Sequence, residues 1–438
     1  MILQTTTVAR NTFVEAVRQP IYLIVLLLAG ALQIFSTWST AYSMGYTDSA
    51  EVSKDNKLLL DIGLATIFVA GMLLSAFIAT AVVSREIETK TVLTVVSKPI
   101  SRTAVVLGKY LGVAGAIVLA VVVMTAYLLL AIRHGVMSTA ADELDMPVIL
   151  FSTLAVFLAL GVSGWCNFYY GWSFPQAASL LLVGLIVFAY LLTLVVGSDW
   201  QVQSITADLK PQILVACTAL LLALLVLSAL ATAASTRLGQ VMTIVVCAGV
   251  FMIGLLSNYM IGRHAYQNRS VGVIEKAEPL LESRAAFDRD GDVYEVLLKS
   301  PPKAEIAVGS PFYFGANPNG FRLAGRALRA EDGSVRGVVV SASDVRRIDL
   351  RLEDDPSLAQ RPPEPGDQVF LTPTEVNPWA AVVHAVIPNF QHYWLVDAVS
   401  QNSPVPATHL ERLAGYAGTQ IVMFLTLGVV LFQRRDVG

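Results

Sequence analysis

Charged and polar residues form a dense run between two apolar stretches in the first quarter of the sequence. The run extends over 27 residues from Ser84 to Tyr110. Acidic and basic groups at this density can form ion pairs and hydrogen bonds with a second protein. We therefore predict that the run is a docking surface, and a solvated linker whose positive charge only sets membrane topology is the alternative. The residues expected at the docking contact are Arg85, Glu86, Glu88, Lys90, Thr91, Lys98, Pro99 and Arg102.

Apolar positions inside this run recur at helical spacing and predict an amphipathic helix over residues 85–97. They form two rows, namely Ile87, Thr91 and Val95, and then Val92, Val96 and Ile100. Lys98 and Pro99 are expected to end this helix. Ser101 then stands where it can cap a second helix that leads into the next apolar stretch.

Residue patterns typical of catalysis are not found elsewhere in the chain. The nearest approach to a phosphate-binding loop, "VLGKYLG", lacks the first glycine and has Tyr110 after Lys109. His384 and His392 are eight residues apart but have no carboxylate or thiol nearby, so hydrogen bonding is favoured over a metal site. We expect a non-catalytic chain that carries no cofactor or metal and does not hydrolyse ATP itself.

Asp61 is the one carboxylate near an apolar run that could be buried. Charges inside a bilayer are costly and mark substrate paths or structural contacts. Because Asp61 lies only a few residues from the end of its predicted helix, a hydrated position at the membrane interface is the alternative.

The composition is that of a membrane protein. The chain is 55% hydrophobic and only 14% charged, whereas soluble domains average about 25% charged residues. A net charge of -3 gives no reason to expect a nucleic-acid partner. All three cysteines lie in apolar runs, so no disulfide framework is expected.

Stretches free of charged residues predict about eight transmembrane helices in a mainly α-helical, polytopic fold. Lys and Arg are concentrated in the loops that share a side with the N-terminus, so both termini are predicted to be cytoplasmic. The predicted spans are residues 21–38, 58–83, 110–132, 147–169, 174–196, 212–234, 241–262 and 416–432.

The region before the last predicted span has a different composition. Residues 263–375 contain short alternating runs bounded by Pro, Gly and Asp, which predict a small β-rich extracytoplasmic domain. Asp332 and Gly333 lie between two such runs and predict a hairpin. The expected order is thus a transmembrane domain of seven helices (1–262), the β-rich domain, an interfacial or re-entrant segment (376–415), and the last helix with its tail (416–438).

The polar run resembles a known family motif. "EIETKTVLTVVSKPISRTAVVLGKYLG" is similar to the hallmark of permease subunits of the ABC-2 type, the type-2 exporter class of ABC transporters. The strings "VARNTFVEAVRQPIY", "STRLGQVMT" and "YAGTQIVMFLTLGVVLFQRRDVG" resemble the N-terminal helix, a short cytoplasmic turn and the last span of that family. The eight spans and the outer domain depart from the six-span core that is common in the family.

The resemblance implies a mechanism. Two permease copies, identical or different, would each hold a separate ATPase subunit that binds ATP and Mg²⁺, in a bacterial inner membrane. The helix over 85–97 would be the coupling helix, with Glu86 and Glu88 meeting the ATPase and Lys98, Pro99 and Arg102 fixing the helix end. The subunit would export a lipid, peptide, drug or polysaccharide. The alternative is a mechanotransmission or anchor subunit that drives an extracytoplasmic partner and moves no substrate.

Overall fold

The computed structural model contains two compact units. One unit comprises Met1–Phe251 with Phe390–Gly438, and the other comprises Met252–Asn389. We call them the helical unit and the sheet unit. The structure describes residues 2–39, 51–88, 101–136, 144–281, 287, 291–306, 312–315, 327–329, 335–342, 346–353, 362–371, 374–396, 399, 405 and 407–433.

Long apolar helices make up the helical unit. In chain order they are α1 (Ile2–Val17), α2 (Pro20–Ser39), α3 (Glu51–Glu88), α4 (Arg102–His134), α5 (Met146–Tyr170), α6 (Phe174–Val195), α7 (Pro211–Ser235), α8 (Gln240–Leu255) and α11 (Ala407–Gln433), with α9 (Arg263–Ala265) and α10 (Pro378–Val386) in the sheet unit. Within the described residues, seven helices can span a bilayer by length and composition, or eight if α8 and residues 258–265 form one broken span. The predicted polytopic helical fold is confirmed.

Helix α4 lies at the centre of the helical unit. It packs against α1, α2, α3, α6 and α7. Most of its side chains are buried, and one of them, Met124, is fully inaccessible. In a membrane chain, such burial marks a helix surrounded by protein rather than by lipid.

The sheet unit is built on a seven-stranded antiparallel sheet with the order β4-β8-β2-β3-β7-β6-β5. Its strands are β2 (Ser270–Pro279), β3 (Val293–Leu298), β4 (Tyr313–Gly315), β5 (Ala327–Arg329), β6 (Val335–Ala342), β7 (Arg347–Glu353) and β8 (Gln368–Phe370), and a separate pair joins β1 (Tyr266–Gln267) to β9 (Glu375–Val376). Buried and half-buried positions alternate along β3, where Tyr294, Val296 and Leu298 face a core that includes Phe287 and Phe312. This period of two is the pattern that the sequence predicted.

The predicted hairpin at Asp332 and Gly333 is present as a strand pair. Strands β5 and β6 pair in antiparallel fashion, with Arg329 opposite Val335. Asp332 and Gly333 themselves lie outside the described residues.

Several helices differ from the sequence prediction in their bounds, and α3 and α4 begin at Glu51 and Arg102 instead of at residues 58 and 110. The last helix begins at Ala407 instead of residue 416, because the prediction excluded charged residues although a helix can extend beyond the bilayer. The seventh span is interrupted by a π-helix at Asn258–Gly262. Within residues 376–396, which the sequence predicts to be interfacial or re-entrant, helix α10 has nine residues and is too short to cross a membrane.

Candidate functional site

The predicted docking run begins on the last turns of α3. This helix continues to Glu88 without a break, and residues 82–88 contain neither Gly nor Pro to end it. Arg85, Glu86 and Glu88 therefore extend the second predicted span directly. Lys90, Thr91, Lys98 and Pro99 lie outside the described residues.

The predicted cap at Ser101 is confirmed. The Ser101 hydroxyl accepts a hydrogen bond from the backbone N–H of Ala104 at 3.2 Å, and Arg102 is the first residue of α4. The side chain therefore satisfies one of the amide groups that every helix leaves unpaired at its N-terminus. It fixes the point at which α4 begins after the predicted docking run.

Arg102 binds the C-terminus of the last helix. Its Nη1 donates to the carbonyl oxygens of Phe432 at 3.2 Å and Gln433 at 2.9 Å, and its guanidinium lies 5.9 Å from the centroid of the Phe432 ring. A helix C-terminus carries unpaired carbonyls and a partial negative charge, which a cation stabilises.

A second arginine binds the same helix end. The Nε of Arg237, in the turn after α7, donates to the carbonyl of Leu431 at 2.9 Å. Arg102 and Arg237 thus bind the last three carbonyls of α11. We call this cluster the arginine clamp, and it joins the start of α4, the end of α7 and the end of α11. This end of the helical unit is the Arg102 end.

Helix α1 lies in close contact with the first turns of α4. A Cβ atom added to Gly108 would lie 2.8 Å from the carbonyl oxygen of Thr5, and one added to Gly112 would lie 2.5 Å from Cβ of Thr12. Real Cβ atoms do not approach other atoms this closely, so only glycine allows α1 to lie here. The N-terminal helix is therefore fixed to the part of α4 that follows the predicted docking run.

An ion-pair network lies at the opposite end of α4. Nε of Arg133 is 3.1 Å from Oδ2 of Asp145, before α5, and 3.6 Å from Oδ2 of Asp208, in the loop after α6. Its Nη2 donates to the carbonyl of Val196 at 2.6 Å. The side chains of Arg133 and Asp145 are only 7% and 9% exposed. We call this end the Arg133 end.

These contacts determine the direction of four successive helices. Helix α4 runs from the Arg102 end to the Arg133 end, α5 starts beside Arg133, α6 returns to Val196, and α7 ends at Arg237. The alternation is that expected of membrane-spanning helices with short connections.

The comparison with known families matches the N-terminal part of the chain. Residues 6–163 match the family model described as ABC-2 family transporter protein. These residues form an ABC-2 family transporter domain. The match covers just over a third of the chain, and no curated protein and no solved structure matches. Residues 6–163 are therefore similar to a permease component of an ABC transporter, and the apolar helices make the chain a multi-pass membrane protein.

The ABC-2 domain includes both ends of α4. It contains most of α1, the predicted docking run, Arg102 and the Arg133–Asp145 pair. The partners of the arginine clamp, Arg237 and α11, lie beyond residue 163. The clamp therefore joins the ABC-2 domain to the C-terminal helix of the chain.

Asp61 lies in α3 of the ABC-2 domain, four residues after Lys57. It is half-buried, and its Oδ1 atom is shielded from solvent. A role in a substrate path or in helix packing stays a prediction.

His384 takes part in hydrogen bonding within the sheet unit, as the sequence predicted. Its Nε2 lies 3.2 Å from Oδ1 of Asn258, which also accepts a hydrogen bond from Nδ2 of Asn389 at 2.7 Å. Burial lowers the pKa of His384 below its usual value. This histidine therefore favours its neutral form.

Sequence reasoning did not find the arginine clamp or the partners of Arg133. Arg102 and Phe432 are 330 residues apart, and Arg133 and Val196 are 63 residues apart. No local spacing reveals such pairs. The one available signal was the positive charge of Arg102 and Arg237, and the sequence assigned Arg102 to the docking contact and to the end of the predicted coupling helix instead.

Proposed function

We propose that this chain couples ATP hydrolysis by a separate ABC ATPase to the export of a substrate across a bacterial inner membrane. Two permease copies would each bind one ATPase subunit, and the ATPase subunits would hold ATP and Mg²⁺. The coupling helix would be residues 85–97, with Glu86 and Glu88 at the ATPase contact.

The observation that carries this proposal is the arginine clamp. Arg102 stands five residues after the proposed coupling helix and binds the end of α11. A force applied between α3 and α4 would therefore act on the start of α4 and the end of α11 together. The close contact of α1 with Gly108 and Gly112 would add the N-terminal helix to the same moving body.

The proposed orientation places the Arg102 end in the cytoplasm. Arg102, Arg237 and the end of α11 lie together, and the sequence continues from α11 into Arg434 and Arg435. Positive residues next to membrane spans accumulate on the cytoplasmic side. The ATPase would then meet the permease at the end where the coupling run lies.

Charge reversal tests the ATPase contact. The double variant Glu86→Lys/Glu88→Lys should reduce both copurification of the ATPase and its stimulated hydrolysis, because like charges across an interface repel. The matched control is Asp199→Lys/Glu411→Lys, which reverses two exposed acidic residues away from the arginine clamp. Wild-type assembly and ATPase stimulation in the Glu86/Glu88 variant would refute the coupling assignment.

Mechanotransmission is the second candidate function. It is favoured by the position of α11, which follows the sheet unit in the chain after residues 390–406 and is the helix held by the clamp. In this function, the sheet unit would act on an extracytoplasmic protein and no substrate would pass.

Cross-linking distinguishes the two functions. Photoreactive residues placed in the sheet unit of the intact chain should capture a specific protein in cells if mechanotransmission is correct. That protein should also change the ATPase rate of the purified complex in liposomes. Export instead predicts ATP-dependent movement of a copurified small molecule or polymer across the liposome membrane.

A further inference from the structure

A narrow cleft opens between α4, α6 and α7 in the helical unit. Its volume is about 240 Å³, which is below the roughly 300–1,000 Å³ of sites for compact drug-sized ligands. The cleft is lined mainly by aliphatic side chains, among them Val122, Leu129, Val187, Leu214 and Leu221. An occupant must therefore be thin and apolar.

The cleft lies in the half of the helical unit nearer the Arg133 end. Along α4 its lining extends from Val121 to Leu129, a rise of about 12 Å at 1.5 Å per residue. One leaflet of a bilayer contributes about 15 Å of hydrocarbon. The cleft is thus about as long as the straight part of one lipid chain.

The cleft is open to the outside of the helical unit. Val122 is 41% exposed and Leu214 is 37% exposed, although both line the cleft. Water at this depth would lack hydrogen-bonding partners, so apolar chains are the favoured occupants.

Polar groups stand where a lipid changes from chain to headgroup. Tyr190 lines the cleft and is 9% exposed, and its hydroxyl is shielded from solvent and has no hydrogen-bond partner in the described part of the chain. A lipid ester carbonyl could accept this hydrogen bond. Lys210 is exposed and precedes Leu214 by one helical turn, so its ammonium can reach a phosphate near the membrane surface.

We propose that this cleft binds one acyl chain of a membrane phospholipid from the leaflet at the Arg133 end. The lipid chain fills the space between α4, α6 and α7, its ester group accepts from Tyr190, and its phosphate pairs with Lys210. The site does not depend on the proposed coupling to an ATPase, because it requires only that the helical unit lie in a membrane.

Photolabelling tests the acyl-chain site. The full chain is placed in nanodiscs that contain phosphatidylethanolamine with a diazirine in one acyl chain, and labelled residues are mapped by mass spectrometry. Labels are expected on residues 121–129 and 214–221. Thr218→Phe fills the cleft and should lower this labelling about tenfold, since it displaces roughly two methylene groups.

The control variant introduces a phenylalanine ring outside the cleft. Val245, in α8, is 57% exposed, so Val245→Phe should leave the labelling of residues 121–129 and 214–221 unchanged. The proposal would be overturned if Thr218→Phe and Val245→Phe were labelled equally at these residues. It would also be overturned if the label showed no preference for these residues in the wild-type chain.

The phosphate contact has its own test. Diacylglycerol with the same diazirine chain lacks a phosphate and should label the cleft less than phosphatidylethanolamine does. Lys210→Gln should remove this difference while the cleft still binds the chain. A difference that persists in Lys210→Gln would contradict the role given to Lys210.

Discussion

At the scale of single residues, arginine holds the helical unit together at both of its ends. Arg102 and Arg237 bind backbone carbonyls at one end, and Arg133 binds two carboxylates and a carbonyl at the other. The guanidinium group presents several donors in a fixed plane, so one side chain can join several helices. Backbone carbonyls at helix ends, which have no hydrogen-bond partner within their own helix, thereby gain donors.

Loss of the arginine clamp should loosen the end of α11. In Arg102→Gln/Arg237→Gln, three carbonyls lose charged donors, at a cost of about 1 to 2 kcal/mol for the half-buried Arg102 and less for the exposed Arg237. Amide hydrogens of the last turn of α11 should exchange at least about tenfold faster. The control Arg18→Gln changes an exposed arginine after α1. Unchanged exchange in the double variant would show that the clamp does not hold this helix.

Neutralising Asp145 should destabilise the Arg133 end. Asp145→Asn retains a good N-cap for α5, where Oδ1 accepts from the N–H of Val148 at 3.1 Å. The charge of Arg133 would then face only Asp208, at 3.6 Å. We expect a loss of about 2 to 3 kcal/mol, below the range for a fully unpaired buried charge.

Thermal unfolding of the purified chain in detergent measures this loss. The control is Asp199→Asn, which neutralises an exposed carboxylate in the same loop as Asp208. Equal midpoints for Asp145→Asn and Asp199→Asn would mean that the buried ion pair contributes little.

At the scale of elements, the sequence correctly predicted the features that depend only on neighbouring residues. Apolar runs located the spans because a bilayer fixes the length of a helix. The cap at Ser101 and the pairing of β5 with β6 were likewise predictable from neighbouring residues. The contact of α1 with α4 was not, since it depends on which small residues face each other across separate helices.

Alanine substitution should separate the packed glycines from the exposed ones. Alanine raises helix stability by about 1 kcal/mol where there is room for its methyl group. At Gly161 no atom lies within 4 Å of the added Cβ, whereas at Gly112 the carbonyl oxygen of Ala9 lies at 2.6 Å. Gly161→Ala should therefore be neutral or stabilising. Gly112→Ala should lower stability by about 1 to 3 kcal/mol through overpacking.

Limited proteolysis measures whether α1 remains in place. A protease that cuts after Arg10 or Arg18 should cleave Gly112→Ala faster than Gly161→Ala, because α1 must move away from α4. If both variants resist cleavage equally, the close contact between α1 and α4 is not required for α1 to dock.

At the scale of the whole molecule, the two ends of the helical unit determine one topology. The contacts at Arg102, Arg133 and Arg237 require α4, α5, α6 and α7 to alternate in direction. The hydrogen bond from the N–H of Val405 to Oε1 of Gln212 places the approach to α11 near the start of α7, at 3.0 Å. Helix α11 therefore also runs towards the Arg102 end. Charge bias then predicts which end faces the cytoplasm.

Cysteine labelling tests that orientation for the whole chain. Cys166, Cys217 and Cys247 are first replaced by alanine, and one cysteine is introduced either at Asp199, near the Arg133 end, or at Gln240, after Arg237; both positions are exposed. A membrane-impermeant maleimide added to spheroplasts should label Asp199→Cys at once. It should label Gln240→Cys only after permeabilisation, because the Arg102 end is predicted to face the cytoplasm. The reverse pattern would place the coupling run outside the cell, where ATP is not supplied, and would thereby exclude ATPase coupling through residues 85–97.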